Sequence, residues 1–324
     1  MGHMLEKLAD GTFSMAYAGE IPWHGLGTEV EHDLTPKEMQ EAANLDWGVT
    51  KRKNFYTFNG EKIYTGQQSL IRATDGRYLT TVSPGWEPVQ NDTAFEFFDD
   101  FIRSGDMTMN TAGSIDSGEG LLVWALAKVN DGFTLFGGDT VESYLLFTNP
   151  HIYGRSVDIR FTPIRTVCWN TVSLALARRG DLMVRLNHRH KFDEEFVKDT
   201  LGVATEKMQT YKEVAELLGK KRYKKNKSDL AEYLMKVFPS TSTKEDALKK
   251  LSRPAKIAFD IVETQPGADY APGTFWNAFN AVTFTTDHLL GHNDNTRMAS
   301  AWYGTNRKRK TDALKLAVEY AEAA

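Results

Sequence analysis

The chain has few of the residues and patterns that build disulfide frameworks, metal clusters or membrane spans. Its single cysteine, Cys168, excludes an internal disulfide and any zinc or iron–sulfur site made from several cysteines of one chain. No apolar run approaches the roughly 20 residues that cross a bilayer, and the first residues, Met1 to Met4, do not begin a signal peptide. We therefore expect a cytoplasmic protein with no membrane contact and no bound metal.

Signatures of nucleotide-binding proteins and hydrolases are absent as well. The sequence contains no Walker loop, no dinucleotide-binding glycine fingerprint and no nucleophilic serine elbow. The glycine-rich segment 113–120 carries Asp116 and Glu119, so it suits a turn better than a phosphate cradle. We expect no cofactor, and we favour a non-enzymatic role.

Charge is distributed unevenly along the chain. The formal net charge is −4, but residues 1–120 hold 9 Lys and Arg against 19 Asp and Glu, whereas residues 121–324 hold 30 against 24. An acidic first third and a basic remainder fit two arrangements: nucleic-acid binding by the basic part, and head-to-tail association into a homo-oligomer.

Hydrophobic patterning indicates an α+β protein. Alternating apolar and polar residues between glycine-containing turns predict a central antiparallel β-meander with packed helices, and helical spacing dominates the later part of the chain. We divide the chain into a tag remnant and N-terminal tail (1–15), an α+β core (16–190) and a mostly helical C-terminal region (191–324) with a basic loop at 219–228.

Short motifs place turns and helix starts. Asn59-Gly60 and Asp75-Gly76 each lie between β-prone runs and predict the tips of two hairpins. Thr35 followed by Pro36 predicts a helix that begins with a side-chain cap.

Two further helices are predicted from capping residues. Asn91 or Asp92 suits the N-cap of an aromatic helix that runs through Ile102. Asn170 suits the start of a second helix, which Gly180 would end.

A basic strand–strand–helix unit is predicted over residues 142–190. Between residues 151 and 191 there are eight Lys and Arg against two acids, and seven of the eight are Arg, whose guanidinium fork suits phosphate oxygens. The arginines expected to contact nucleic acid are Arg155, Arg160, Arg165, Arg178, Arg179 and Arg185. A structural alternative is that Asp158 pairs with Arg160 or Arg165 and that Arg178 and Arg179 complement a helix dipole.

A second basic segment lies between two predicted helices. Its candidate nucleic-acid contacts are Lys220, Lys221, Arg222, Tyr223, Lys224 and Lys225. Such a loop can follow a phosphate backbone while Tyr223 stacks on a base, with Tyr153 and Trp169 as further stacking candidates. The alternative is a solvated linker between helices.

An enzymatic site is the competing hypothesis. Cys168 beside several arginines could act as a nucleophile with a histidine base, and His24, Asp287 and His288 could join it in a pocket. A free cysteine is more often a buried and inert residue. His288 and His292 are four residues apart, but Gly291 between them predicts a helix end, so we expect no metal site.

Four patches together resemble one family, the phage/plasmid-like proteins of domain of unknown function 932. They are Pro22 to Gly27, Val89-Gln90-Asn91, Arg165 to Thr171, and Asn280 to His288 followed by Ala301 to Gly304. The likeness runs from about Ala16 to about Leu316 and implies the product of a phage or another mobile element. Thr166 stands where the family more often has an aliphatic residue, which leaves the strand prediction intact.

Three functions follow from these observations. The leading hypothesis is an oligomeric protein that binds single-stranded DNA and promotes annealing during recombination or replication of a mobile element, by analogy with phage annealing proteins. The second is a hydrolase or nucleotide-modifying enzyme. The third is an interaction protein that binds a host factor through its acidic first third.

Overall fold

A computed structural model describes residues 5–19, 25–116, 118–165, 170–171, 183–186, 208–240, 251–291, 300–301 and 304–323. The strands are β1 (Met15–Ala18), β2 (Thr28–Val30), β3 (Val49–Phe58), β4 (Glu61–Arg72), β5 (Tyr78–Val82), β6 (Met107–Asp116), β7 (Leu121–Leu135), β8 (Asp139–His151), β9 (Val157–Arg165), β10 (Asn170–Thr171) and β11 (Met183–Leu186). The helices are α1 (Pro36–Ala42), α2 (Asn91–Glu96), α3 (Asp99–Arg103), α4 (208–220), α5 (Ser228–Val237), α6 (Arg253–Ile261), α7 (Phe275–Phe284), a π-helical turn (Thr285–Leu289) and α8 (Thr305–Ala323).

The strands form two sheets. The main sheet has the order β10-β9-β8-β7-β6-β1-β2, with β11 also pairing with β9, and it is antiparallel except for the β1–β2 pair. The small sheet has the order β3-β4-β5 and is antiparallel. The predicted fold class, an α+β protein with an antiparallel meander and a helical C-terminal part, is confirmed.

The main sheet is buried on both faces. Every residue from Leu121 to Ala127 in β7 is buried, and neighbouring residues alternate between two apolar clusters. One face packs against α1 to α3 and the small sheet, whereas the C-terminal helices pack around the turn between β7 and β8. The described helices include none that is long and apolar enough to span a membrane.

Local sequence signals account for the ends of several elements. The Thr35 hydroxyl accepts a hydrogen bond from the Glu38 backbone N–H at 3.2 Å, and the Glu38 carboxylate accepts one from the Thr35 N–H at 2.8 Å, which is a capping box. Asn59 and Gly60 have φ angles of 49° and 84° and form the tight turn between β3 and β4. Both predictions are confirmed.

Two predicted helix starts are wrong. Gln90, not Asn91, precedes α2, and the aromatic helix is broken into α2 and α3. Asn91 lies inside α2 and does not cap it. Its side-chain amide instead donates to the carbonyls of Leu45 and Trp47, each at 3.0 Å. Asn170 belongs to strand β10, opposite Arg165, and most of the expected helix after it lies outside the described residues.

The amide of Asn91 is the centre of a buried joint between the two sheets. Its oxygen contacts His151 Nε2 at 2.9 Å and Asn149 Nδ2 at 3.3 Å at the end of β8. The His151 ring lies 5.1 Å from the ring of Trp47, which precedes β3. The root of the small sheet is thereby fixed to the C-terminal end of β8.

A charged network holds the predicted N-terminal tail in the core. Glu6 is almost fully buried and accepts hydrogen bonds from Arg72 at 2.5 Å and Arg77 at 3.0 Å. Arg72 also forms an ion pair with Asp75 at 2.6 Å, and Arg77 forms one with Asp116 at 2.5 Å. Five charged side chains therefore link the first residues, the turn between β4 and β5, and the end of β6.

This network predicts that stability depends on pH in the acid range. The hydrogen bonds from Arg72 lower the pKa of Asp75 from 3.8 to about 2. Burial opposes ionisation of Asp116, but the hydrogen bonds from Arg77 and the Gly118 N–H outweigh it and lower its pKa. Because both folded-state pKa values are depressed, their stabilising effect is complete above the unfolded value of 3.8 and is lost as the pH falls toward about 2.

We expect Asp75→Asn to lower the melting temperature near pH 6 and to have much less effect near pH 2, measured by circular dichroism at a series of pH values of about 2 to 7. The matched control is Asp46→Asn, which removes an exposed carboxylate. A destabilisation by Asp75→Asn that stays constant across this range would contradict the role of the ion pair.

Candidate nucleic-acid interface

The basic segment that follows α4 is an ordered loop. The Tyr223 N–H donates to the Gly273 carbonyl at 3.1 Å, and the Phe275 N–H donates to the Lys221 carbonyl at 2.9 Å. The Tyr223 ring packs edge-on against Phe275, with the ring centroids 6.3 Å apart. The loop is therefore tied to the start of α7 by backbone hydrogen bonds and by one buried aromatic side chain.

The far end of the loop is fixed by α5. The Asp229 carboxylate accepts from the Lys224 N–H with both oxygens, at 2.9 and 3.0 Å. Lys227 has a left-handed φ of 56°, and its ammonium pairs with Glu263 at 2.8 Å and lies over the Phe259 ring. Lys227 is thus part of the packing, whereas four of the five cations before it face solvent.

The predicted nucleic-acid contacts of this loop differ in how far they are exposed. The side chains of Lys220, Arg222, Lys224 and Lys225 are exposed and that of Lys221 is half-buried. Lys220 lies 4.0 Å from Glu216, and no other ion pair involves these five cations within the described residues.

The prediction that Tyr223 stacks on a base is wrong for this structure. Its side chain is 8% exposed because it anchors the loop in the core of the C-terminal helices. Burial raises the pKa of its phenol to about 12. Tyr223 therefore holds the cations in place instead of contacting a ligand.

The arginines of the strand–strand unit have different environments. Arg155 is exposed in the turn after β8, next to Tyr153, whose ring is 51% exposed. Arg160 is 5% exposed and pairs with Asp158 at 2.5 Å, as in the structural alternative, so it cannot reach a phosphate in this structure. The alternation of apolar and polar residues in β9 predicted one buried and one polar face. In the structure both faces are buried.

Other predicted residues are only partly described. Arg165 lies at the end of β9 opposite Val141, and Arg185 lies in β11 opposite Asp158. The residues that lie outside the described part of the chain are Arg178, Arg179, Trp169, His24 and Cys168.

The two exposed basic sites lie at opposite ends of β8. The Phe136 ring, in the turn that precedes β8, lies directly against Gly219 at the end of α4, so any side chain at Gly219 would overlap it. Tyr153 and Arg155 follow the other end of the strand. With 13 residues, β8 is about 40 Å long at the usual rise per residue.

Two of the four residues of the enzymatic alternative, Asp287 and His288, lie in the described structure. The Asp287 carboxylate accepts a hydrogen bond from the Lys310 ammonium at 2.6 Å, with only 1% of the lysine and 6% of the aspartate side chain exposed. The His288 ring packs against Phe284 at 4.7 Å. No group of three or more potential metal ligands occurs among the described residues, and a role for His24 and Cys168 stays a prediction.

A third exposed surface was missed in the sequence. Residues 52–67, the outer part of the β3–β4 hairpin, contain no buried side chain, and we call this segment the arm. Its aromatic residues are exposed to 54% at Phe55, 52% at Tyr56, 62% at Phe58 and 40% at Tyr64. A signal was available, because consecutive strand residues such as Phe55 and Tyr56 point to opposite faces and cannot both enter one core.

The buried ion pair at the end of α7 predicts a large effect of a single substitution. Lys310→Met removes one partner of this buried ion pair, a change that typically destabilises a protein by about 3 to 5 kcal/mol. We expect the free energy of unfolding in urea to fall by this amount. Lys315→Met, which changes an exposed lysine of the same helix, is the control and should have little effect.

A double variant that removes both charges distinguishes the energetic effect of the ion pair from that of side-chain packing. The double variant Lys310→Met with Asp287→Leu replaces both charges of the pair by apolar side chains, so it should recover most of the lost stability. If the double variant is as unstable as the sum of the two single variants, the pair is not coupled.

Comparison with known proteins identifies the family of this chain. No curated protein and no solved structure matches the chain significantly. One family model, described as a domain of unknown function (DUF932), matches residues 78–314. This match includes β5 to β9, the first half of α8 and the basic loop, whereas the arm precedes it. Because the match covers well over half of the chain, the protein belongs to the DUF932 family.

Proposed function

We propose that this protein binds single-stranded DNA and supports strand pairing in the recombination or replication of a phage or another mobile element. The observation that carries the proposal is the ordered display of four exposed cations, Lys220, Arg222, Lys224 and Lys225, at the end of α4 and on the short loop that follows it. Neutralising phosphates with Lys and Arg releases condensed counterions and supplies much of the affinity for nucleic acid.

The rigidity of the loop favours a role in nucleic-acid binding over that of a solvated linker between helices. A mobile cationic linker loses conformational entropy when it is ordered on a ligand. Here the backbone of residues 221–224 is already held by hydrogen bonds to residues 229, 273 and 275. Only the ends of the long side chains remain to be ordered when a phosphate backbone binds.

A second group of exposed residues supports the same function. Arg155 can contact phosphate and Tyr153 can stack on a base at the other end of β8. Contacts at opposite ends of a strand of this length suit a long, flexible polyanion better than a compact small molecule. Oligomerisation and a location in the host cytoplasm stay predictions.

The basic loop predicts a salt-dependent affinity. We expect the affinity for a fluorescent oligonucleotide of about 20 nucleotides, measured by anisotropy, to fall steeply with salt. The variant Lys220→Gln, Arg222→Gln, Lys224→Gln and Lys225→Gln removes up to four phosphate contacts. Its slope of log K against log salt should be shallower by about 3, at roughly 0.7 for each single-strand contact.

A matched variant controls for net charge. Arg253→Gln, Lys256→Gln, Lys308→Gln and Lys315→Gln remove four exposed cations from α6 and α8. This variant should keep the wild-type slope to within about one unit, since its residues are not among the cations that the proposal assigns to phosphate contacts. No binding by the wild-type protein at low salt, or equal effects of the two variants, would contradict the proposal.

A further inference from the structure

We propose that the arm, residues 52–67, is a base-stacking site that gives the protein its preference for single strands over duplexes. This inference rests on the proposed function, because it assigns the arm to the same ligand as the basic loop. The loop can neutralise the phosphates of any nucleic acid, whereas stacking needs bases that are not paired in a duplex.

The arm projects beyond the rest of the small sheet. Strand β5 pairs with β4 only from Gln68 to Ile71, so the arm is a two-stranded ribbon with both faces exposed. Two-stranded ribbons are marginally stable on their own, and exposed aromatic side chains forgo about 1.5 to 3 kcal/mol each of burial free energy. A cluster of such residues on a ribbon marks an interaction site.

One face of the arm has the geometry of a stacking platform. Phe55 and Tyr64 are directly opposite each other, with ring centroids 5.8 Å apart and planes tilted by 53°. The Lys53 ammonium lies over the Tyr64 ring, 5.7 Å from its centroid. Lys62 is two residues from Tyr64 and therefore shares its face. Two aromatic rings, Phe55 and Tyr64, and two cations, Lys53 and Lys62, therefore lie together on this face.

The cations of the arm favour nucleic acid over a protein partner. The arm has Arg52, Lys53 and Lys62 against a single acid, Glu61 at the tip. Lysine is depleted at the centre of protein–protein interfaces, where its ammonium would lose water without a counterion. Beside a stacked base the same ammonium meets the next phosphate, and cations interleaved with aromatics are typical of single-strand binding.

The lysine at the root of the arm has a different role. Lys51 donates to the carbonyls of Pro84 and Trp86 and pairs with Glu87 at 2.7 Å. It fixes the direction in which the ribbon leaves the sheet. The stacking side chains are therefore presented by an anchored root and are not on a loosely attached loop.

The strand that leads into the arm starts near the second group of exposed residues. Trp47, two residues before β3, packs against His151 at the end of β8, and Tyr153 and Arg155 follow His151 by two and four residues. A single strand bound at the arm can continue toward this turn.

The test compares two double variants that remove the same number of aromatic rings. Phe55→Ala with Tyr64→Ala removes the proposed platform, whereas Tyr56→Ala with Phe58→Ala removes two rings from other positions of the ribbon. Binding to a single strand of about 20 nucleotides and to the corresponding duplex is measured by anisotropy for each variant. We expect the first variant to weaken single-strand binding by about 5-fold to 100-fold, to leave duplex binding unchanged and to keep the wild-type salt slope.

The control variant should retain single-strand binding to within about twofold. Circular dichroism and the melting temperature confirm that both variants are folded, which we expect because all four rings are exposed. Sedimentation velocity of each variant without DNA reports on self-association.

The outcomes separate this inference from the proposed function. Loss of single-strand preference in Phe55→Ala with Tyr64→Ala alone supports the arm as the stacking site. Wild-type binding that depends on the loop but is unchanged in both arm variants overturns the inference and leaves the proposed function standing. A change in sedimentation without a change in DNA affinity assigns the arm to self-association and also overturns it. No binding of wild-type protein to any nucleic acid ends both proposals.

Discussion

The side-chain amide of Asn91 is the contact on which the arrangement of the two sheets depends. It satisfies two backbone carbonyls before β3 and two polar side chains at the end of β8. Buried polar groups that lose such partners cost the protein about 1 to 3 kcal/mol each. Gln90 extends the joint, since its amide exchanges hydrogen bonds with both backbone groups of Val49. The small sheet is thus attached through its root, which leaves the other end of the β3–β4 ribbon free to project.

Much of the fold was predictable because it follows from local chemistry. The turn at Asn59-Gly60 and the cap at Thr35 each depend on a few adjacent residues. The apolar runs of the main sheet likewise mark strands that are buried on both faces. By contrast, the position of Asn91 inside α2 depends on residues from 44 to 60 positions away, so its capping preference was outweighed by tertiary hydrogen bonds.

The candidate interface was predictable in part, for the same reason. The run of cations from Lys220 onward is visible in the sequence, but which side chains face solvent depends on packing. Tyr223 lies among cations and is buried against Phe275, whereas Arg160 is buried because the polar face of β9 also packs. Adjacent aromatic residues in β3 signalled that some rings of the arm are exposed, but the sequence alone does not show that β5 stops short of the arm and leaves both of its faces uncovered.

The same ribbon has a consequence for how the protein behaves at high concentration. Beyond β5 both of its long edges carry backbone N–H and C=O groups that could pair with another strand, and its rings would favour such pairing. Charged side chains on exposed edges act as gatekeepers against sheet extension between molecules. The aromatic residues of this segment favour fibrillar aggregation. The charges of Arg52, Lys53 and Lys62 therefore oppose strand pairing between molecules. Any adaptation of the arm toward stronger stacking must retain enough positive charge to keep the protein dispersed.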